Sequence, residues 1–172
     1  VMKKTYSFFG EFYRDYIDEF YVRLIALFEE KYSSVLNIKG EIVEAQMHDM
    51  MASYFRICVR TLLFEMYCKR DAGELAGETG SERYDSFIRI LKTEEYKIYL
   101  RKRYPVLHKW LVSQTEYRIC LLDECLGNYM KDQKKIAEVF GIRDGIIRNI
   151  KITNGDSHNR GKKVIQLETG SG

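Results

Sequence analysis

The sequence is short of the residues that interrupt helices. It has one proline, Pro105, and 12 glycines in 172 residues, so long stretches carry nothing that would stop an α-helix. It lacks any run of about 18 apolar residues, the length a membrane-spanning helix needs. Its first residues, VMKKTYSFFGEFYRDY, hold neither the apolar core nor the small-residue cleavage site of a signal peptide. Its four cysteines, Cys58, Cys68, Cys120 and Cys125, include no CxxC pair, which argues against a metal site built on zinc. Each lies in an apolar helical stretch, and all four are expected as free, buried thiols in a reducing cytoplasm. Charge of one sign is also scarce: the formal net charge is +3 with 31% charged residues. With no helix-turn-helix signature and no aromatic–basic platform, nucleic acid is not an expected partner.

What is present has the composition and size of one globular domain, with 45% apolar residues. Phe9, Phe12, Tyr13, Tyr16, Ile17, Phe20, Leu24, Leu27 and Phe28 recur three or four apart, which predicts a helix over 7–32 with one wide apolar face. A second helix is expected over 41–69, with Ile42, Met47, Met50, Tyr54, Ile57, Cys58, Thr61, Leu62, Glu65 and Met66 on its face. Its segment RTLLFEM is apolar nearly all round, which predicts burial by several neighbours; Arg60 and Glu65 there are expected in structural ion pairs with other elements. Thr79 with Glu82 forms a capping-box pattern for a third helix through Leu91. Thr93 caps a short fourth, and Pro105 starts a fifth through Met130 that buries Val106, Leu107, Trp110, Leu111, Tyr117, Cys120, Leu121 and Leu126. Asp132 starts a sixth, ended by Gly141.

After Gly141 the period changes. Ile146, Ile147, Ile150 and Ile152, then Val164, Ile165 and Leu167, suit two strands. The fold class expected is therefore mainly α: about six helices over 1–144, followed by a C-terminal β-hairpin over 145–172. A lone hairpin is marginal in water. It must pack on the helices, complete itself by edge pairing into a homo-oligomer, or stay disordered. The segment from Gly145 onward holds five cations, Arg148, Lys151, Arg160, Lys162 and Lys163, against Asp156 and Glu168, so the whole formal excess lies there.

The strands are joined by NGDSHNRGKK, longer than the two to five residues a hairpin requires. Gly155 and Gly161 permit close backbone approach, and successive free N–H groups there can form an anion-binding nest. Arg160, Lys162 and Lys163 suit phosphate. Asp156 and His158, two apart, point the same way if the stretch is extended, and can orient a hydroxyl, a metal or a phosphate oxygen. The stretch matches neither of the common glycine-rich nucleotide motifs. His48 and His108 lie in helical patterns and are expected to be structural.

Three stretches, RTLLFEMYCKRDAGELAGETGSERYDSF, YPVLHKWL and ITNGDSHNRGKKVIQLETGSG, resemble in this order the N-terminal dehydratase region of class II lanthipeptide synthetases (LanM type). That family carries an RTL…E…GEL.G.T..ER…F helix pair, a YPVL helix start and a D.H..G..V hairpin. The resemblance runs over 60–172; residues 1–59 carry no motif. It implies a partial lipid-kinase-like N-lobe braced by helices, in an enzyme that uses ATP and Mg2+ to phosphorylate Ser and Thr of a precursor peptide and then eliminates the phosphate. The family pattern falls on Asp156, His158 and Gly161, in a loop that the resemblance implies covers the nucleotide phosphates; together with the chemistry of the loop, this gives catalytic roles to Asp156 and His158 and cofactor binding to Gly155, Arg160, Gly161 and Lys162.

The family pattern continues past the hairpin to a phosphate-binding lysine, metal-binding Asp/Asn residues and an arginine for elimination. The present sequence ends at Gly172, and the expectation is an N-terminal piece of a cytoplasmic synthetase, inactive alone and without tight ATP or Mg2+ binding. The remainder of the synthetase and the leader and core of the precursor peptide are its expected partners. A helical leader-binding module without catalysis is the other reading.

Overall fold

The structure is a computed structural model that describes residues 8–38, 41–142, 144–153 and 163–170. Among these are five α-helices: α1 (Gly10–Ala26), α2 (Ile42–Asp71), α3 (Gly80–Leu91), α4 (Glu94–Arg103) and α5 (Pro105–Phe140). A π-helical turn, Leu27–Lys31, follows α1, and strands β1 (Ile147–Ile152) and β2 (Ile165–Thr169) form an antiparallel pair. No helix among the described residues is long and apolar enough to cross a membrane.

Six expected helices become five because the fifth and sixth are one. Asp132 is exposed within α5 and interrupts nothing. A carboxylate on a solvated helix face costs little, and no proline follows to enforce a stop. The helix ends where expected, at Gly141, whose φ of +66° suits a left-handed cap. The Ile142 N–H closes back onto the Ala137 carbonyl at 3.1 Å, the pattern that satisfies terminal carbonyls.

The chain divides into two compact units, Val1–Ile17 with Met50–Gln114, and Asp18–Asp49 with Thr115–Gly172. In the first, Phe9, Tyr13, Tyr16, Tyr54, Phe87 and Tyr96 are buried. Phe9 meets Phe87 edge-on at 6.0 Å, and Phe87 meets Tyr96 at 6.2 Å, the geometry that the ring quadrupole favours. Thr79 caps α3 with a complete capping box: its hydroxyl accepts from the Glu82 N–H, and the Glu82 carboxylate accepts from the Thr79 N–H. Thr93 caps α4 by accepting from the Tyr96 N–H at 3.3 Å.

Glu65 is buried, 3% exposed. It accepts from the Tyr96 hydroxyl at 2.8 Å and the Tyr104 hydroxyl at 2.5 Å, and pairs with Arg103 Nε at 3.0 Å. Burial and the facing Glu65 carboxylate push both tyrosine hydroxyls up from their ordinary pKa, burial contributing most. The expected ion pair therefore exists for Glu65, with Arg103 as its cation. Arg60 is exposed.

Other expected burials fail in both units. Phe64 on α2 is exposed, as are Val106 and Trp110 on α5. Of the cysteines, Cys58 is buried, Cys125 is intermediate, and Cys68 and Cys120 are exposed. The stripe that α5 buries is Leu111, Thr115, Leu122, Leu126 and Tyr129, so Tyr117 and Cys120 fall outside it. The sequence of α5 has apolar residues on more than one face, and its pattern alone cannot choose among them.

In the second unit Phe20, Leu24, Leu27 and Phe28 continue the expected α1 stripe and are all buried. The buried Tyr32 hydroxyl donates to Asp123 Oδ1 at 2.6 Å and contacts the Asp123 carbonyl at 2.9 Å. Gly127 sits where an added Cβ would lie 3.3 Å from that hydroxyl. A glycine inside a long helix, ordinarily unfavourable, is here the residue that leaves Tyr32 its place.

Candidate functional site

The hairpin is built from its base upward. Before β1, the Asp144 carboxylate accepts from the Ile146 N–H at 3.0 Å and pairs with Arg148 at 2.8 Å. Gly145 has φ +59°, a left-handed conformation that favours glycine, and a Cβ there would stand 2.7 Å from Gln133 Nε2 and displace that amide. Its carbonyl accepts from the Tyr129 hydroxyl at 2.7 Å and from Gln133 Nε2 at 3.2 Å. Two α5 side chains thus fix the entry to β1.

Along β1, Ile147 and Ile150 are buried. Ile147 pairs with Thr169 of β2, and an irregularity between Ile147 and Asn149 shifts the register before Asn149 meets Glu168. Such a bulge leaves Arg148 out of the pairing and turns it toward Asp144. On its other edge Ile147 makes a parallel bridge to Leu36: its N–H donates to the Val35 carbonyl at 2.8 Å, and its carbonyl accepts from the Asn37 N–H at 2.9 Å. Further along, Gln46 of α2 donates to the Ile150 carbonyl at 2.8 Å. The hairpin is therefore not a free ribbon. Residues 35–37, α2 and α5 all hold it.

The ladder ends with the Thr153 N–H donating to the Val164 carbonyl at 3.0 Å. The connection beyond it carries the residues singled out from the sequence. Gly155, Asp156, His158, Arg160, Gly161 and Lys162 lie outside the described residues. What the structure does show is the fate of their neighbours' charge. Arg148 is paired with Asp144. Lys151 is paired with Glu168, which Asn149 also contacts at 3.0 Å. These partners hold the Asp144 and Glu168 carboxyls below the usual carboxylate range: for Asp144 the Ile146 N–H comes first and Arg148 second, for Glu168 Lys151 comes first. Of the five cations counted in the segment, two, Arg148 and Lys151, are thus paired locally.

Among the described residues no group of three His, Cys, Asp or Glu is placed to hold a metal ion. The carboxylates nearest the hairpin are engaged by cations, so the described residues do not fit a magnesium site. His108 shares a 2.6 Å hydrogen bond with the Tyr16 hydroxyl, a structural role as expected, while His48 is exposed. Sequence reasoning missed Gln46, Tyr129 and Gln133. Gln46 had a readable signal: a polar residue between Val43 and Met47 on an apolar helical stripe.

Residues 104–172 match a family described as a domain of unknown function (DUF4135). The match begins at the start of α5 and takes in the whole hairpin. The chain is also 27% identical over 171 residues to the "Lacticin 481/lactococcin biosynthesis protein LcnDR2" of Lactococcus lactis subsp. lactis. That similarity covers 98% of this chain and 16% of the relative. The chain is thus similar from end to end to a short part of a much longer lantibiotic biosynthesis protein.

Proposed function

We propose that this chain is the N-terminal part of the dehydratase of a lanthipeptide synthetase of the LanM type, acting on Ser and Thr of a precursor peptide. The observation that carries the reading is the similarity to a lantibiotic biosynthesis protein over 98% of the chain, hairpin included. The geometry supports it in one respect: a hairpin with a long connection is held at the entry and middle of β1 by side chains and backbone from three other segments.

ATP, when bound, supplies the phosphoryl group that turns a Ser or Thr hydroxyl into a leaving group. The part assigned to this chain is positional. Tyr129, Gln133 and Gln46 hold β1; β1 and β2 carry the connection; Asp156, His158 and the cations Arg160 and Lys162 are the residues there suited to phosphate oxygens. Phosphoryl transfer depends on positioning and on charge stabilisation.

Asp156→Ala and His158→Ala in the intact synthetase are expected to impair dehydration while leaving thermal unfolding unchanged. Mass spectrometry of the precursor reads the outcome as loss of water or retention of phosphate. Full dehydration by both variants refutes the role of the connection. The chain alone, given ATP, Mg2+ and precursor, is expected to yield neither product.

A leader-binding role is favoured by one observation. Val106 and Trp110, one helical turn apart at the start of α5, are 67% and 60% exposed. Trp110 is the sole tryptophan, so its fluorescence reports directly on that surface. A blue shift on titrating leader peptide supports the binding reading, and an unchanged spectrum at saturating peptide removes it.

A further inference from the structure

Gln46 is fully buried on an otherwise apolar stripe of α2, between Val43 and Met47, both buried as well. A primary amide in that setting loses water at both of its polar atoms, which is costly unless each finds a partner. Each does. Nε2 donates to the Ile150 carbonyl at 2.8 Å, and Oε1 faces Arg118 Nη1 at 3.4 Å. Arg118 extends in turn to Asp49 at 3.7 Å. The cation on the oxygen side determines which end of the amide faces the strand, since a guanidinium has only donors.

The carbonyl contacted is a telling one. With the Thr153 N–H bonded to the Val164 carbonyl, the alternation of an antiparallel ladder turns the Ile150 and Ile152 carbonyls to the outer edge of β1. At that edge Ile147 is already paired with Val35 and Asn37. Gln46 therefore takes over where the parallel bridge stops. Beyond the bridge at Ile147, apolar contact from Ile150 alone would tolerate small shifts of the strand; a directional bond to its carbonyl does not.

We propose that Gln46, oriented by Arg118, is the positioning residue that sets β1 on α2. Resting on the phosphoryl-transfer reading above, it acts through β1 on the apparent affinity for ATP and leaves turnover nearly alone. It touches no reacting atom.

Two variants test this in the intact synthetase. Gln46→Met keeps the length and removes the donor. Gln46→Glu keeps the shape and the Arg118 contact but presents an acceptor to the Ile150 carbonyl. Hydrogen exchange over 147–153 is expected to quicken about tenfold in both, the size of one lost hydrogen bond, with α5 protection unchanged. KM for ATP should rise several-fold while kcat changes less than about twofold. Unchanged exchange over 147–153 in both variants overturns the positioning role. Exchange that quickens equally over α2, α5 and β1 also overturns it, because it marks general loosening. Faster local exchange with an unaltered KM for ATP upholds the placement of β1 and overturns the link to nucleotide, and with it that part of the proposed function.

Discussion

Replacing Glu65 by alanine withdraws one carboxylate from three donors at once. Their environments differ, and so does what each loses. Tyr96 is buried and its hydroxyl bonds Glu65 at 2.8 Å; left without an acceptor, a buried hydroxyl costs about 1–3 kcal/mol. Tyr104 is only part-buried, and the Arg103 side chain is half exposed, so both regain water and add little. The lost methylene and carboxyl volume leaves a small cavity in a well-packed place, for roughly another 1 kcal/mol. The expected destabilisation is about 2–4 kcal/mol. Glu65→Gln, which keeps one acceptor oxygen, should cost about half as much. Tyr96→Phe leaves Glu65 its Tyr104 and Arg103 partners and should cost about 1–2 kcal/mol. Glu65→Ala combined with Tyr96→Phe removes both ends of the bond, so it should cost clearly less than the two single changes added together. Urea unfolding followed by circular dichroism measures all four; with a slope of about 2 kcal/mol/M, Glu65→Ala moves the midpoint by roughly 1–2 M. A midpoint unchanged in Glu65→Ala, or a double variant equal to the sum, would show that Glu65 does not work as the shared acceptor.

Other consequences are as open to measurement. Native alkylation followed by mass spectrometry should label Cys68 and Cys120 first and Cys125 slowly, with Cys58, whose thiol burial pushes up to about 12, labelled only on unfolding; early labelling of Cys58 contradicts its placement. Tyr32 is raised from 10.0 to about 12, chiefly by burial and then by Asp123. A raised pKa stabilises the fold fully below the unfolded value, so this contribution should fade as pH rises from 10.0 towards about 12, and Tyr32→Phe should flatten that alkaline decline. Asp123 runs the other way: the Tyr32 hydroxyl and then Lys31 lower its carboxyl below 3.8, so its stabilisation is present above that pH and is lost as acid protonates it. Asp123→Asn should weaken the acid dependence, read from melting temperature against pH. Thr79→Ala removes the capping box of α3 and should cost about 1 kcal/mol; a neutral result would mean that tertiary contacts alone hold that end.

How legible the fold was depended on how local each rule is. The Thr79–Glu82 box, the Thr93 cap, the stop at Gly141 and the two strands were all readable, because each is decided within a few residues. The apolar face of α1 was readable too, since its nine marked residues have no rival stripe. In α5 a rival exists: Val106 and Trp110 against Leu111 and Thr115. Only packing partners choose between them. Asp132 fits a cap and an exposed helix position equally well, hence the extra expected helix. Glu65 was read as a paired charge, but its cation, Arg103, sits on another helix, and no pattern in the sequence connects them. At the candidate site, the carriers of the connection were foreseen, and its own residues fall outside the described parts. The braces were missed because a tyrosine hydroxyl or a glutamine amide declares its partner only in three dimensions.

The union of Gln46 with Ile150 spans 104 residues, and the bridge from Leu36 to Ile147 spans 147 − 36 = 111. A chain emerging from the ribosome delivers Val35, Leu36 and the α2 stripe long before the strand that will cover them. Until residues 147–150 arrive, that apolar groove has no native tenant, and closing so long a loop is entropically slow. Vectorial synthesis therefore leaves the early segment dependent on the late one, and truncation anywhere before Ile150 should yield a sticky, chaperone-bound product in place of a smaller folded one.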